Sequence, residues 1–177
     1  MKLIFFIIFI ILNSLTSVAF SKSLAVVNLQ FLIDNNVIYN NVIKEMELDQ
    51  KTYLKEFEIR ENELKLVFED IEESKLILNE NELNFQIDDY NKELTEFSIL
   101  IEEFNIHYQN QIMNLREAIL KEIIKLLEKY AIDNKIDLIL DSSSYLIASN
   151  SLDITNDIYV ELEKLEFILE YTNFEKN

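Results

Sequence analysis

From Met46 to Tyr130 the apolar residues return in alternating steps of three and four. That spacing is the seam of a coiled coil, where one stripe of a helix meets one stripe of a partner. It confines nearly half of the chain to long helices packed in pairs. The first seam runs Met46, Gln50, Tyr53, Phe57, Arg60, Leu64, Val67, Ile71, Ser74 and Leu78, with Gln50, Arg60 and Ser74 as polar interruptions. The second runs Leu83, Ile87, Tyr90, Leu94, Phe97, Ile101, Phe104, Tyr108, Gln111 and Leu115, then shifts to Ile119, Ile123, Leu126 and Tyr130. Consecutive steps of four from Leu115 to Ile123 are a stutter, which locally unwinds a left-handed supercoil.

Asn79-Glu80-Asn81-Glu82 lies between the two seams. Asn79 as cap and Glu82 three residues on form a capping box, the mark of a fresh helix start. Two seams on either side of a cap predict an antiparallel hairpin rather than one rod. At 1.5 Å per residue the first arm, Lys44 to Leu78, is about 50 Å long. The return arm is longer, so its last turns reach past the base of the first.

The flanks have a different period. Leu24-Ala25-Val26-Val27-Asn28-Leu29 reads as a buried strand, with Asn28 placed to cap a helix from near Gln30. After Tyr130, Asn134 is expected to take the left-handed conformation that ends a helix, a role Gly normally fills. Asp137–Asp141 and Tyr145–Ala148 read as two short strands around Ser142-Ser143-Ser144. Asp153-Ile154-Thr155 starts a closing helix with Ile154, Ile158, Leu162 and Leu165 on one face. The first strand must meet the later ones, because a lone strand leaves its backbone groups unpaired. The fold class is α+β, mainly α: a long helical hairpin on a small strand body. An isolated hairpin buries only one stripe of each helix, and the body is small, so association is expected to complete the core. Val26, Val27, Leu138, Leu140 and Leu146 are the candidate residues of that oligomer core.

Composition removes most chemistries. The 177 residues include no Gly, Pro, Cys or Trp and a single His, His107. Without Gly there is no P-loop, dinucleotide fingerprint or glycine nucleophile elbow, since each brings the backbone close to a phosphate or through a strained turn. Without Cys there is no disulfide, thiolate nucleophile or Cys zinc site, and one His excludes multi-histidine metal centres. No cofactor, no metal and no catalytic residue are expected. Ser142–Ser144 beside Asp141 lacks a histidine base, because His107 lies far up the arm. The net charge of −17 argues against a nucleic-acid partner. It also makes contact with an anionic membrane surface doubtful.

The first nineteen residues read as an address. Met1-Lys2 is a short positive start, Leu3–Leu12 an unbroken apolar run, and Ser17-Val18-Ala19 supplies the small residues a signal peptidase requires. Cleavage is expected after Ala19. The competing reading is an uncleaved anchor, for which the apolar run is short against the ~20 residues that a bilayer needs. Residues 20–177 then form a single domain, with a body at 24–43 and 132–165, an arm at 44–131 and a tail at 166–177.

The Ala25-Val26-Val27-Asn28 strand, the hairpin, Ile136-Asp137-Leu138-Ile139-Leu140-Asp141 and the closing Asp153-Ile154-Thr155 helix follow one another in an order that resembles the Skp/OmpH family. These are periplasmic chaperones of Gram-negative bacteria. The resemblance spans nearly all of the mature chain, and its most specific part is the Ile-Asp-Leu-Ile-Leu-Asp strand followed by Asp-Ile-Thr. It implies a homotrimer whose strands form a central body and whose hairpins enclose a cavity. That cavity would hold unfolded outer-membrane proteins without ATP and keep them from aggregating. The charge is a departure. Lys44–Leu78 carries 6 basic and 11 acidic side chains, net −5, and Asn79–Tyr130 carries 5 and 11, net −6.

A holdase needs apolar surface that stays accessible. Off the seams the arms carry Leu54, Ile59, Leu66, Phe68, Phe85, Ile99, Ile106, Ile112 and Met113. Leu54, Leu66, Phe85 and Ile99 are the candidates for a cavity face. Phe68, Ile112 and Met113 adjoin seam positions and equally suit a widened helix–helix stripe. The acidic excess suits a solvated surface that keeps the arms apart, with selection of basic clients or capture of a cation by Asp70, Glu72 and Glu73, or Asp88 and Asp89, as the sharper readings. An envelope adaptor or structural protein that docks one folded partner is the alternative to a holdase.

Overall fold

A computed structural model of the chain describes residues 23–175, so the expected signal peptide lies outside the described residues. The element order is β1 (Leu24–Val27), α1 (Leu29–Asn35), α2 (Val37–Ser74), α3 (Glu80–Asn134), β2 (Leu138–Asp141) and α4 (Thr155–Leu162), with short 3₁₀ turns at Ser142–Ser144 and Asn150–Leu152. Helices α2 and α3, of 38 and 55 residues, are the antiparallel hairpin that the seams predict. The capping box at its tip is formed: the Asn79 side chain accepts from the Glu82 N–H at 3.1 Å, and the Glu82 carboxylate accepts from the Asn79 N–H at 3.4 Å.

Burial along α2 falls on Met46, Phe57, Leu64 and Ile71 of the first seam. The polar interruptions sit at its margin. Arg60 is exposed and bridges the arms, with Glu93 of α3 at 2.8 Å and Glu63 at 3.1 Å. On α3, Phe104, Tyr108, Leu115, Ile119, Ile123 and Leu127 are buried. The run of fours therefore persists one step further than the sequence suggests, and Leu127 is buried where Leu126 is only partly covered. The reason is a change of partners: near its C-terminal end α3 faces α1 and α4 as well as α2. Helix α2 begins well before the arm, at Val37, because Asn36 makes a second start. Its side chain accepts from Tyr39 N–H at 2.9 Å, and the residue is buried.

β1 and β2 pair in parallel, in the register Leu24↔Leu138 to Val27↔Asp141, with the whole hairpin as the crossover. The free edge of β1 takes one parallel bridge, Val26 to Asp153, and the Ile154 N–H donates to Val26 O at 2.9 Å. Tyr145–Ala148 is not a strand, contrary to the sequence expectation. Both edges of β1 are taken within the chain, by β2 and by the bridge to Asp153, so Tyr145–Ala148 finds no free edge of β1 to pair with.

Helix α3 ends one residue later than expected. Asn134 is still helical and donates its side-chain amide to Tyr130 O; Lys135 takes the left-handed conformation, at φ 54°. The Ile136 N–H donates to Ala131 O at 2.9 Å and the Lys135 N–H to Ile132 O at 3.3 Å, the crossed pair of bonds that closes a helix through a left-handed residue. Lys135 is the one described residue with positive φ, and a Cβ there costs about 1–2 kcal/mol. Lys135→Gly should raise unfolding stability by about 1 kcal/mol and Lys135→Val should lower it, as read from urea denaturation. Arg60→Leu should shift stability by less than ~1 kcal/mol in the same assay, because exposed ion pairs contribute little.

Candidate functional site

Two surfaces are candidates, the faces of the arms and the base where they enter the body. All eight candidate client-contact residues on the arms are exposed: Leu54, Leu66, Phe68, Phe85, Ile99, Ile106, Ile112 and Met113. They do not form one patch. Ile99 shares a groove between the arms with Ile59, and its remaining lining includes Phe57, Phe97 and Leu100. Glu56, Glu63, Glu93, Glu96 and Glu103 also line it, with Arg60 as the one cationic side chain, and its volume is about 700 Å³. Phe68 leans on Tyr90 across the hairpin, ring centres 5.7 Å apart, so it widens the helix–helix stripe. Phe85 lies near the tip beside Leu78. Ile106 lies beside the C-terminal tail. Leu76 and Ile77, in the turn before Asn79, are the most exposed apolar residues of the hairpin, at 93% and 84%. The sequence pointed to neither, although an apolar triplet directly before a helix cap is a readable signal.

The candidate oligomer-core residues divide. Val26 and Val27 are buried within the single chain. Leu140 is half-buried, Leu138 is 50% exposed and Leu146 is fully exposed, next to an exposed Ile147. Leu138 lies on β2, and Leu146 and Ile147 follow that strand, so the open apolar surface of the body lies at and after it.

Polar bonds tie the body together at the junction of β1 and α1. The first backbone N–H groups of a helix have no partner inside it. Here Asn28 N–H donates to Thr155 Oγ1 at 2.9 Å, Leu29 N–H to Asp141 Oδ1 at 3.1 Å and Phe31 N–H to Asn28 Oδ1 at 2.9 Å. Partial burial pushes the Asp141 carboxyl up, but bonds from the Ser143 hydroxyl and from the Leu29, Ser143 and Ser142 N–H groups outweigh it, so the group sits below its ordinary value. Ser143 is thus a donor to a carboxylate, an arrangement that stabilises the turn. Asp153 accepts from Thr155 N–H at 2.9 Å and starts α4. The Asp-Leu-Ile-Leu-Asp and Asp-Ile-Thr segments therefore both close on residues 28 and 29. Among the described residues, no three His, Asp or Glu side chains converge to hold a metal ion.

The lower part of the arms, just above their junction with the body, holds an aromatic cluster that the sequence did not announce. Phe104 packs edge-on against Phe57, Tyr108 and Phe174, with ring centres 5.0, 4.9 and 5.5 Å away. Phe174 comes from the C-terminal tail, which lies back along the arms. His107 Nε2–H donates to Thr172 O at 2.7 Å, so the single histidine docks the tail. Burial, then the bond donated to Asp49, pushes the Tyr108 phenol far up. Tyr39 and Tyr171 are raised chiefly by burial, and Tyr130 chiefly by its hydrogen bond to Asp157. A phenol raised by folding stays protonated in the native state while its unfolded counterpart ionises. Stability is then whole below the ordinary phenol value of about 10 and is lost as pH rises through the folded values. Thermal unfolding between pH 8 and 12 should show a fall beginning near pH 10, shallower for Tyr108→Phe.

Residues 23–162 match the family model described as Outer membrane protein (OmpH-like). No curated protein sequence matches the chain. Among solved structures, the chain is similar to a candidate outer membrane chaperone (OmpH-like) from Caulobacter crescentus CB15, at TM-score 0.68 and 12% identity over 86% of this chain and 92% of that one. At that identity the likeness establishes the hairpin-on-body fold. With the family match over most of its length, the chain belongs to the OmpH-like family.

Proposed function

We propose that this chain is a periplasmic holdase that works without ATP, shelters unfolded outer-membrane proteins between helical arms and prevents their aggregation. The observation that carries this reading is the pattern of apolar exposure on the arms. Leucines, isoleucines and phenylalanines stand exposed along both helices, separated by charge rather than gathered into one sticky patch. Each contributes roughly 1.5–3 kcal/mol when fully covered, so partial cover of several sums to firm but reversible holding. The acidic residues between them keep the free protein soluble and the arms apart. The family membership and the fold shared with a candidate outer membrane chaperone support the same reading. The chain acts by binding, and its Gly-free sequence has no phosphate loop for nucleotide.

The active form on this reading is a homotrimer. Leu138, Leu146 and Ile147 are left uncovered by their own chain at the body, and the other protomers would cover them. Such a trimer joins small bodies into one core and sets three hairpins around a shared space. Residues 1–19 direct export and are removed.

A denatured β-barrel protein diluted from urea tests the proposal. With the mature chain present as a threefold excess of trimers, light scattering should stay near the buffer baseline, and the chain alone should sediment at three times its monomer mass. Holding should persist at high salt, since apolar contacts carry it, and should weaken with salt only for basic clients. A barrel that aggregates as fast as without the chain would overturn the holdase and favour an adaptor for one folded partner. A monomer would overturn the cage.

A further inference from the structure

The family match ends at Leu162, whereas the described chain continues to residue 175. Beyond α4 this tail has no regular secondary structure, yet it is ordered against the arms by a strict alternation. Leu165, Phe167, Leu169 and Tyr171 are buried or half-buried, and Glu166, Ile168, Glu170 and Thr172 between them are exposed. A period of two is the signature of an extended chain with one face covered. In a sheet a neighbouring strand would satisfy its backbone. Here the receiving surface is helical, and side chains do so at the far end of the stretch, at Thr172 and Phe174. Gln111 holds Thr172 twice, its Oε1 accepting from the Thr172 N–H at 3.3 Å and its Nε2 donating to Oγ1 at 2.9 Å. His107 donates to Thr172 O at 2.7 Å, and the Tyr53 phenol donates to Phe174 O. The Phe174 ring is buried, 5.5 Å from the rings of both Tyr53 and Phe104.

Three of these four bonds go to the tail's backbone, which any sequence can offer. What the surface selects is an extended segment with apolar groups at alternate positions and an aromatic ring at its end. The surface also continues. Glu103 lies beside the end of the tail and also lines the open groove farther up the arms. Phe57, on the floor of that groove, is 5.0 Å from Phe104, which touches Phe174. The site that holds the tail thus adjoins an open groove of about 700 Å³ with apolar and acidic side chains in its lining.

We propose that the base of the arms is a binding site for extended segments with an apolar residue at every second position, that the chain's own tail fills it when no other ligand is present, and that a strand of an unfolded β-barrel displaces the tail and runs on into the open groove. Membrane-spanning barrel strands carry this alternation over about ten residues, and Leu165–Tyr171 repeats it. The inference rests on the holdase reading and deepens it, since it names what part of a client is recognised. A tethered tail competes at high effective concentration, so it lowers the apparent affinity for client strands by the fraction of chains in which it is docked.

The probe is a fluorescein-labelled synthetic peptide of about ten residues with Phe and Leu alternating with Ser and Thr, as in a barrel strand. A control peptide has the same composition with the apolar residues clustered. Anisotropy is read with the full mature chain, with Phe174→Ala and with a chain ending at Leu162. The alternating peptide should bind Phe174→Ala at least about fivefold more tightly than the unaltered chain, and the clustered peptide should show no such gain. A synthetic peptide of residues 163–177 should compete with it. Should the chain ending at Leu162 fail to fold, Phe174→Ala decides alone. Equal affinity for Phe174→Ala and the unaltered chain, or no preference for the alternating peptide, would overturn the inference. So would loss of the oligomer in Phe174→Ala, which would assign the site to a tail from a second copy. If those results are negative while a urea-diluted barrel is still kept soluble, the site fails and the holdase stands. If the barrel aggregates as well, both fall.

Discussion

The structure depends on what happens to the apolar stripe of α3 where the hairpin meets the body. Along the arm that stripe needs only α2 to cover it. From Leu115 onward it advances in steps of four, and Leu115, Ile119 and Ile123 are almost completely buried, at 2%, 0% and 0% exposure. One antiparallel helix cannot enclose side chains to that extent. Helices α1 and α4 supply the rest, at 7 and 8 residues each, too short to hold helical structure alone. They persist because they cover α3, so the body and the arm stabilise each other.

Burial brings these short elements together, and polar bonds fix their register. Asp141, Thr155 and Asn28 satisfy the N–H groups where β1 turns into α1. Those residues come from the two ends of the domain and lie more than a hundred positions apart. A chain without glycine must close its turns in this way, with side-chain caps at Asn28, Asn36 and Asn79 and a lysine in the left-handed position after α3. The motifs that carry the family resemblance are therefore ties of the fold rather than parts of a site.

On the proposed holdase reading, the arms and the base would divide the work. The arms present separated apolar side chains on an acidic surface, suited to many weak contacts. The base, which holds the chain's own tail through polar groups, would offer a groove for one extended segment. Loose contacts capture a collapsed chain of any conformation, whereas a groove recognises a conformation. Both lie on the same helix pair and connect through Phe57 and Phe104.

The hairpin, its tip and the start of its closing helix could be read from the amino-acid order alone, because those follow from local periods and from caps within three residues. Asn79 with Glu82, the steps from Met46 to Ile71, and Ile154 with Ile158 and Leu162 were legible for that reason, whereas Leu165, expected on the same helix face, lies beyond the helix end at Leu162. The off-seam apolar residues of the arms were legible too, as side chains with no place on a seam. Position 134 against 135, and Leu126 against Leu127, were not, since a helix end and the last step of a stutter depend on which neighbours cover them. Long-range packing sets the rest: Tyr145–Ala148 stays out of the sheet, Arg60 bridges the arms from the margin of the seam, and the tail lies on the aromatic cluster. The alternation of Leu165, Phe167, Leu169 and Tyr171 was present in the sequence, but a period of two says only that one face is covered. That the tail then ends on a helical surface depends on Tyr53, His107 and Gln111, which hold Thr172 and Phe174, lie more than fifty residues away and are brought to the same place only by folding.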